Sequence, residues 1–295
     1  MPLSKISIRN FRCFDAVELS LSPGINFFYG SNGSGKTSLL EAIFIFSSGK
    51  SFKSSNLAAL IKYNRSKFLL KGYDGNKGDV IEIEKNINKP IHVLLNNKKI
   101  PSSKLLKKLP CTPIHNRTFS FANAAPDFRR KLLDRSIAIS EEPFMTNWFA
   151  YYKALKQRNS LLKNNRISDI YAWNIKLSDY GNIITESRET FFNQTLKHFK
   201  IILSLINAVD VFDFLDHIEI EFFNGWSNQK TLLQTLEENI DSDTRRKTTL
   251  HGPHKSDIKF FINGIDAKQV LSRGEQKFFS ILWSCAQNEV LKNVY

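Results

Sequence analysis

Eight consecutive residues near the start of the chain have the types and spacing that bind a nucleotide. From Gly30 to Thr37 the sequence matches the P-loop pattern G-x-x-x-x-G-K-[ST] at every fixed position. The glycines let the backbone turn sharply, so that its N–H groups can point at phosphate oxygens. Lys36 is expected to reach the β- and γ-phosphates, and Thr37 to ligate Mg²⁺ through its hydroxyl. The predicted nucleotide-binding residues are Gly30, Ser31, Asn32, Gly33, Ser34, Gly35, Lys36, Thr37 and Ser38.

The sequence on either side of this loop predicts a strand and a helix that would position it. Residues 25–29 form a short apolar run typical of a strand, and apolar residues recur at helical spacing over residues 38–46, ahead of Gly49. A helix in this place directs the positive end of its dipole at the same anion. The three parts together favour nucleotide binding over a chance glycine-rich turn, and they do not by themselves indicate hydrolysis.

Composition restricts the class of protein and of partner. The 295 residues carry a formal net charge of +14, which favours an anionic partner, with nucleic acid ahead of a membrane surface; a generally basic, solvated surface is the alternative. The three cysteines lie far apart without a CxxC pair, so neither a zinc site nor a disulfide framework is indicated. No signal peptide and no apolar run of membrane-spanning length occurs, and we expect a cytoplasmic protein with reduced thiols.

Strand patterns dominate the N-terminal third of the chain. Apolar and polar residues alternate over residues 3–21, as in two paired strands, and again over residues 68–97, where Asn96-Asn97 predicts a hairpin turn. A strand pair ahead of the P-loop favours a mixed sheet, and the later strands predict an antiparallel β lobe attached to the nucleotide-binding core. Ser102 or Ser103 is expected to cap a short basic helix.

From residue 127 to residue 206 the period of the sequence becomes helical. Two amphipathic stretches with a break at residues 164–169 predict an antiparallel pair of helices, whose aromatic stripe is expected to pack and not to bind a cofactor. Strand patterns return at residues 217–223 and in a hairpin around Asn263-Gly264. The fold class is α/β. The predicted domains are the N-terminal part of a nucleotide-binding head at 1–126, a helical arm at 127–210 and the C-terminal part of the head at 211–295.

A second motif lies near the end of the chain. Residues 271–277 precede an apolar helix, and Ser272 alone could be an ordinary N-cap residue. Next to a P-loop, however, the run resembles the signature motif L-S-G-G-Q/E of ABC-type ATPases. The resemblance implies an ABC-type ATPase head with a helical arm, called lobe II. It also implies that Ser272 and Gly274 bind the γ-phosphate of ATP held by the P-loop of another subunit, again at a helix N-terminus.

Within that superfamily the sequence resembles the RecF family. Lys36 and Ser272 lie 236 positions apart, farther than in a transporter ATPase, and an arm of about 80 residues is typical of RecF where SMC proteins have a much longer one. Blocks that match the family occur in its order: N-F-R at 10–12, the P-loop segment at 32–43, G-K-S-F at 49–52, P-D-F-R-R-K-L-L-D at 126–134, H-G-P-H-K-S-D at 251–257 and L-S-R-G-E-Q-K at 271–277.

The sequence departs from the family pattern in two places. The family usually has a Pro-Glu pair in a nucleotide-sensing loop, where this chain has His115-Asn116-Arg117. After Lys277 no run of four apolar residues is followed by two acids, so we expect the Walker B strand, with the acids that support the metal and polarise water, to be absent. The family is a weak DNA-dependent ATPase. The resemblance therefore implies nucleotide binding more firmly than hydrolysis, and no catalytic residue is assigned.

The resemblance implies a protein of DNA replication and recombinational repair that forms an ATP-dependent homodimer. Each ATP, with Mg²⁺, would lie between Lys36 and Thr37 of one subunit and Ser272 and Gly274 of the other. The dimer would bind double-stranded and gapped DNA at single-strand/double-strand junctions and, with RecR and RecO, help to load RecA. The cations expected to face DNA, or else to be solvated surface residues, are Lys50, Lys53, Lys62, Arg65, Lys104, Lys107 and Lys108.

Two alternatives are open at this point. A degenerate or fragmentary member of the family would bind nucleotide or DNA without hydrolysis, as the missing Walker B pattern suggests. A transport ATPase subunit is disfavoured by the long separation of the two motifs and by the basic composition. Arg129 and Arg130 could make either structural or nucleotide contacts.

Overall fold

The chain forms two compact units, residues 1–113 and residues 114–295. The computed structural model describes residues 3–114, 121–206 and 213–292. The departure at His115-Asn116-Arg117 lies outside the described residues. The division into head, arm and head that the sequence suggests stays a prediction.

The first unit is a six-stranded sheet that shares its core with one helix. Side by side, the strands are β2 (Phe14–Ser20), β1 (Leu3–Phe11), β3 (Lys67–Asp74), β4 (Val80–Asn86), β5 (His92–Leu95) and β6 (Lys98–Lys99). Alternate residues of these strands, such as Ile6, Leu70 and Ile83, are buried together with Ile45 and Phe46 of helix α1 (Lys36–Ser48). The alternation therefore buries one face of the sheet against the helix that follows the P-loop.

The sheet corrects two expectations. Every pairing among the described strands is antiparallel, so the sheet is not mixed. The strands of residues 68–97 are antiparallel, as predicted, but they are part of the main sheet and not a lobe attached to it, because β3 pairs directly with β1, with Ile8 opposite Leu70. Both of these residues are buried, and their shared apolar layer joins the two hairpins into one sheet. The turn at Asn96-Asn97 is confirmed, with φ angles of 49° and 64° as a two-residue hairpin requires.

Residues 25–29 do not form the predicted strand. The side chain of Asn26 accepts a hydrogen bond from the Ser22 N–H at 2.8 Å and donates one to the Ser22 carbonyl at 2.9 Å, which closes a local loop. No described strand lies beside this segment to supply ladder bonds. Ile25, Phe27 and Tyr29 are consequently 79%, 82% and 93% exposed. The prediction was wrong because an apolar run needs a neighbouring strand before it can become one.

The short basic helix is present, but no serine caps it. A 3₁₀ turn at Ser102–Lys104 leads into α2 (Leu105–Lys108), and neither has a side-chain cap. Ser102 instead lies against Gly49, where an added Cβ would come within 2.8 Å of the Ser102 Cβ. Gly49 ends α1 as predicted, in the left-handed conformation and with its N–H on the Ile45 carbonyl at 2.8 Å.

The second unit places a long helical pair against a three-stranded sheet and a C-terminal helix. Its helices are α3 (Pro126–Ser140), α4 (Phe144–Lys163), α5 (Ile170–Ile206), α6 (Leu232–Glu238), α7 (Ile240–Arg246), α8 (Ala267–Val270) and α9 (Arg273–Lys292). Its strands are β7 (Ile218–Phe223), β8 (Asp257–Ile262) and β9 (Ile265–Asp266), all antiparallel. The predicted hairpin around Asn263-Gly264 is confirmed, with positive φ at both residues.

The predicted antiparallel helix pair is confirmed. Arg158 of α4 bonds to Asn174 of α5, and Tyr151, two turns earlier in α4, lies beside Gly181, two turns later in α5. The aromatic side chains are packing residues, as expected. Phe199 of α5 contacts Phe279 and Trp283 of α9, with ring centroids 5.5 and 5.6 Å apart.

Helices α6 and α7 lie in a polar stretch of the sequence for which no helix was predicted. Thr231 starts α6 with a capping box, in which its hydroxyl accepts the Gln234 N–H and the Gln234 side chain accepts the Thr231 N–H. The T-x-x-Q spacing was a local signal for this helix, worth about 1 kcal/mol as a cap.

Candidate nucleotide-binding site

A polar cleft of about 590 Å³ lies beside the P-loop in the first unit. Three cationic side chains line it, those of Arg12, Lys36 and Lys53, and no acidic side chain of the described residues does. The other lining residues are Cys13, Asn32, Gly33, Gly35, Thr37, Ser38, Ala59 and Ile61. A lining with several positive charges and several hydroxyl and amide groups suits a polyanion such as a triphosphate.

The loop has the backbone that its glycines predict. Gly33 and Gly35 have φ angles of 83° and 95°, in the region that other residues rarely adopt, and Gly35 is the N-cap of α1. A Cβ added at Gly35 would lie 2.6 Å from the ring of Phe14 and 2.9 Å from the Cys13 sulfur. Position 35 therefore needs glycine for space as well as for its backbone angle.

The Lys36 ammonium group is held by the loop itself. Its Nζ donates to the carbonyls of Gly30 and Ser31, both at 2.7 Å. Ser34 closes the same turn with its N–H 3.3 Å from the Ser31 carbonyl. Of the predicted P-loop residues, Asn32, Gly33 and Gly35 to Ser38 line the cleft, and Gly30 and Ser31 hold Lys36. The donors of this loop fit phosphate oxygens.

Thr37 and Ser38 lie in the first turn of α1 and line the cleft. Thr37 as a ligand of Mg²⁺ stays a prediction. Within residues 3–114, 121–206 and 213–292, no three His, Cys, Asp or Glu side chains are grouped as metal ligands.

Two cationic residues of the cleft, Arg12 and Lys53, had not been assigned to the nucleotide from the sequence. Arg12 lies in the N-F-R element, and its guanidinium donates to both carboxylate oxygens of Glu41, at 3.0 and 3.1 Å. Glu41 is 1% exposed and also accepts a hydrogen bond from the Ser51 hydroxyl. Lys53, one of the cations predicted to face DNA, also lines this cleft, and its contact with DNA stays a prediction. The N-F-R block was the sequence signal that could have indicated a role for Arg12. Its partner, Glu41, lies four positions after Thr37.

The signature residues lie in the second unit, at the start of α9. Ser272 forms a capping box with Glu275: its hydroxyl accepts the Glu275 N–H at 3.3 Å, and its own N–H donates to the Glu275 carboxylate at 2.7 Å. The next residue, Gln276, is buried, donates to the Leu271 carbonyl and accepts a hydrogen bond from Asn123. The N-cap interpretation of Ser272 is thus confirmed. The phosphate contact of Ser272 and Gly274 stays a prediction.

Arg129 and Arg130 make structural contacts. Arg129 is buried and donates to both oxygens of Asp257, at 2.7 and 2.8 Å, and to three carbonyls of the segment that precedes α3. Arg130 donates to the Ser256 carbonyl at 2.7 Å. Two adjacent arginines therefore join the block at 251–257 to α3. The two distinctive blocks are far apart in sequence and in direct contact in the fold.

The same block is tied to the helical pair. Arg188 of α5 binds Asp134 through two hydrogen bonds and donates to the Pro253 carbonyl at 2.6 Å. His254 Nδ1 lies 2.7 Å from the Tyr151 hydroxyl, and its Nε2 lies 3.0 Å from the Thr249 carbonyl. Because a carbonyl only accepts, Nε2 carries the hydrogen and Nδ1 accepts from Tyr151. Burial lowers the pKa of His254 to about 4 and raises that of Tyr151.

Several cations expected to face DNA are paired with acids. Asp15 binds both Lys62 and Arg65, and the hydrogen bond from Lys62 lowers the pKa of Asp15. Lys108 lies 3.4 Å from Asp79. Lys50, Lys104 and Lys107 are exposed. As contacts to DNA, all of them stay predictions.

Comparisons with known proteins cover nearly the whole chain. The family described as the RecF/RecN/SMC N terminal domain matches residues 2–290. DNA replication and repair protein RecF of Glaesserella parasuis serovar 5 (strain SH0165) is 35% identical over 297 residues, which span 98% of this chain and 80% of the relative. The protein of the same name from Francisella tularensis subsp. tularensis (strain WY96-3418) is 32% identical and is covered to 82%.

Solved structures agree in fold. A structure of the recombination mediator protein RecF with ATP, from the RecFOR pathway, superposes with a TM-score of 0.84 at 25% identity and covers 98% of this chain and 81% of that one. An SMC head bound to the C-winged helix domain of ScpA shares the fold alone, with a TM-score of 0.53 at 15% identity. No helix in the described parts of the chain is both long and apolar enough to cross a membrane. With its P-loop, its signature helix and these matches over almost its full length, the chain belongs to the RecF branch of the RecF/RecN/SMC family.

Proposed function

We propose that this protein is an ATP-dependent DNA-binding protein of the RecF type, acting in DNA replication and in the recombinational repair of gaps. The observation that carries the proposal is the cation-lined P-loop cleft in a chain of this family. Asn32, Gly33 and Gly35 would surround the phosphates with backbone N–H groups, Lys36 would neutralise them, and Thr37 would hold Mg²⁺. The negatively charged phosphates of ATP would be contacted both by these residues and by residues of a second subunit.

The wider role follows the relatives. Two subunits would dimerise around ATP, each offering Ser272 and Gly274 to the nucleotide of the other. The dimer would bind double-stranded or gapped DNA in the cytoplasm and, with RecR and RecO, help to load RecA at single-strand/double-strand junctions. The RecF relatives named above support the pathway, and the net charge of +14 supports the DNA partner.

Nucleotide binding can be tested at a reporter inside the cleft. Cys13 is exposed and lines the cleft, whereas Cys111 and Cys285 lie elsewhere and serve as internal references. ATP is expected to slow the alkylation of Cys13 by iodoacetamide at least severalfold and to leave the references unchanged. In Lys36→Met this protection should be lost. Equal protection in both proteins would reject the assignment of the cleft.

ATP gating of DNA binding needs a separate measurement. Gapped DNA retained on a filter should increase with ATP for the unaltered chain and not for Lys36→Met. Equal retention with and without ATP would reject the gating.

A second candidate is a RecF-like protein that binds nucleotide or DNA without hydrolysis. Among the described residues, the lining of the P-loop cleft contains no acidic side chain that could polarise water, so the cleft supports nucleotide binding and gives no support for hydrolysis. A DNA-stimulated ATPase rate that disappears in Lys36→Met would rule it out.

A further inference from the structure

The outer face of helix α4 is basic in its C-terminal half. The helix spans 20 residues and contains no aspartate or glutamate. Lys153, Lys156 and Lys163 are all exposed and follow one another at three and seven positions, which places them on one face of the helix. The fourth cation of α4, Arg158, faces inward and is bound by Asp243, Asn174 and Thr249. Of the four cations of α4, Arg158 thus has a structural role and the three lysines face outward.

The three outward lysines have no partner among the described residues, in contrast to Lys62, Arg65 and Lys108, which are paired with acids. The outer face of α5 differs, because it mixes Lys176 with Asp179 and Glu186. Helix α4 therefore carries three exposed lysines on one face without any acid in the same helix. An unpaired row of one sign on an exposed helix produces a local positive potential that attracts a polyanion.

We propose that Lys153, Lys156 and Lys163 form a contact surface for the phosphate backbone of double-stranded DNA, additional to any contact made by the first unit. At 1.5 Å per residue the outer two lysines lie about 15 Å apart along the helix axis. A duplex presents a charge about every 1.7 Å of its length, so three flexible ammonium groups over this distance reach phosphates without distortion of either partner. Contacts from lysines to phosphates carry no sequence information, so the contact is independent of DNA sequence.

The proposal rests on the proposed DNA-binding function, and one titration separates the two. The variant Lys153→Gln/Lys156→Gln/Lys163→Gln removes three charges and keeps good helix formers. The matched control Lys197→Gln/Lys200→Gln/Lys268→Gln removes three other exposed and unpaired lysines of the same unit. Circular dichroism verifies that both are folded. Binding of a fluorescein-labelled duplex is measured by anisotropy, with ATP, over a range of salt concentrations.

Each lost phosphate contact lowers the slope of log affinity against log salt by about 0.9. The α4 variant should therefore have a slope shallower by about 2.7 than the unaltered chain. From about 50 to 200 mM salt the unaltered chain should lose about 40-fold more affinity than the variant. The control variant should change the slope by less than about 1.

The other outcomes overturn the proposal in distinguishable ways. If the unaltered chain binds and the α4 variant has the same slope, the α4 contact is wrong and the proposed function stands. If the control loses as much slope as the α4 variant, total charge determines binding and the assignment to α4 is wrong. If the unaltered chain does not bind the duplex at low salt, the proposed function and the α4 contact both fail.

Discussion

Among single residues, Glu41 and Arg12 connect the nucleotide cleft to the core of the first unit. Glu41 is 1% exposed, on the helix that follows the P-loop, and Arg12 is 29% exposed, at the cleft. The pair is unequal, because Arg12 can reach water if its partner is lost and Glu41 cannot. A buried charge left without its partner is strongly destabilising.

We therefore predict that Arg12→Ala is more harmful than Glu41→Gln. Arg12→Ala leaves a buried carboxylate and should lower the free energy of unfolding by about 3–5 kcal/mol. Glu41→Gln should cost about 1–2 kcal/mol. The double variant should recover part of the loss of Arg12→Ala, since it contains no unpaired buried charge. Urea denaturation measures all three, and equal losses in the two single variants would contradict the argument.

A second residue-scale prediction concerns His254 and pH. Its pKa is about 4 in the folded protein, because burial disfavours the charged form, and about 6.5 in an unfolded chain. Between these values the unfolded state binds a proton that the folded state does not. The stabilisation is therefore complete above about pH 6.5 and is lost as the pH falls toward 4, by up to about 3 kcal/mol.

The variant His254→Gln isolates this contribution. Its free energy of unfolding is compared with that of the unaltered chain at pH 7 and near pH 4. The difference between the two proteins should shrink on acidification by up to about 3 kcal/mol. A difference that stays constant with pH would show that His254 does not titrate in this way.

At the scale of elements, the segment before the P-loop has an unusual surface. Ile25, Phe27 and Tyr29 are exposed on a loop segment outside the described sheet, and several exposed apolar side chains close together in sequence promote association. Phe27→Ser/Tyr29→Ser should reduce the fluorescence of a hydrophobic dye bound to the chain and reduce light scattering at high concentration.

The free energy of unfolding of the double variant provides a check on that prediction. Because the two side chains are exposed, the double variant should change the free energy of unfolding by no more than about 0.5 kcal/mol. Tyr63→Ser, at a tyrosine that is 88% exposed on its own, serves as the control and should leave dye binding unchanged. A loss well above 1 kcal/mol in the double variant would mean that these side chains are buried in solution.

The elements also explain which motifs are structural. The blocks at 126–134 and 251–257 meet through Arg129, Arg130 and Asp257, so their residues are needed to join α3 to the second sheet. Gly252 lies so close to Gly225 that a Cβ on Gly225 would come within 2.1 Å of its carbonyl oxygen. A distinctive sequence block in this family is therefore not by itself a sign of contact with a ligand.

For the whole molecule, the proposed ATP sandwich predicts that dimerisation can be lost while nucleotide binding is kept. Ser272→Arg places a bulky cation at the start of α9, in the second unit, where the other subunit's ATP would bind. Sedimentation velocity with ATP should show a dimer for the unaltered chain and a monomer for this variant, with the ATP protection of Cys13 unchanged.

The control for this prediction is Ser168→Arg, at an exposed serine between α4 and α5, which should still dimerise. The cap formed by Ser272 contributes about 0.5–2 kcal/mol, so both variants are first compared in thermal unfolding. A dimer of Ser272→Arg with ATP would contradict the sandwich.

The sequence alone determined the parts that depend on local spacing. The P-loop pattern predicted the glycine backbone and the start of α1, period-2 and period-3.6 patterns predicted most strands and the antiparallel helix pair, and Asn96-Asn97 predicted its turn. Each of these follows from the conformational preferences of neighbouring residues.

Only the tertiary structure decided what depends on neighbours distant in sequence. The strand expected at residues 25–29 did not form because no described strand pairs with it, and the β lobe merged with the first hairpin because Ile8 and Leu70 share one buried layer. Arg12 and Lys53 line the cleft beside the P-loop. Arg12, Lys62 and Lys108 bind acids that lie 29 to 47 positions away in the sequence. A local pattern specifies how a segment can fold, whereas pairing and charge neutralisation depend on which segments meet.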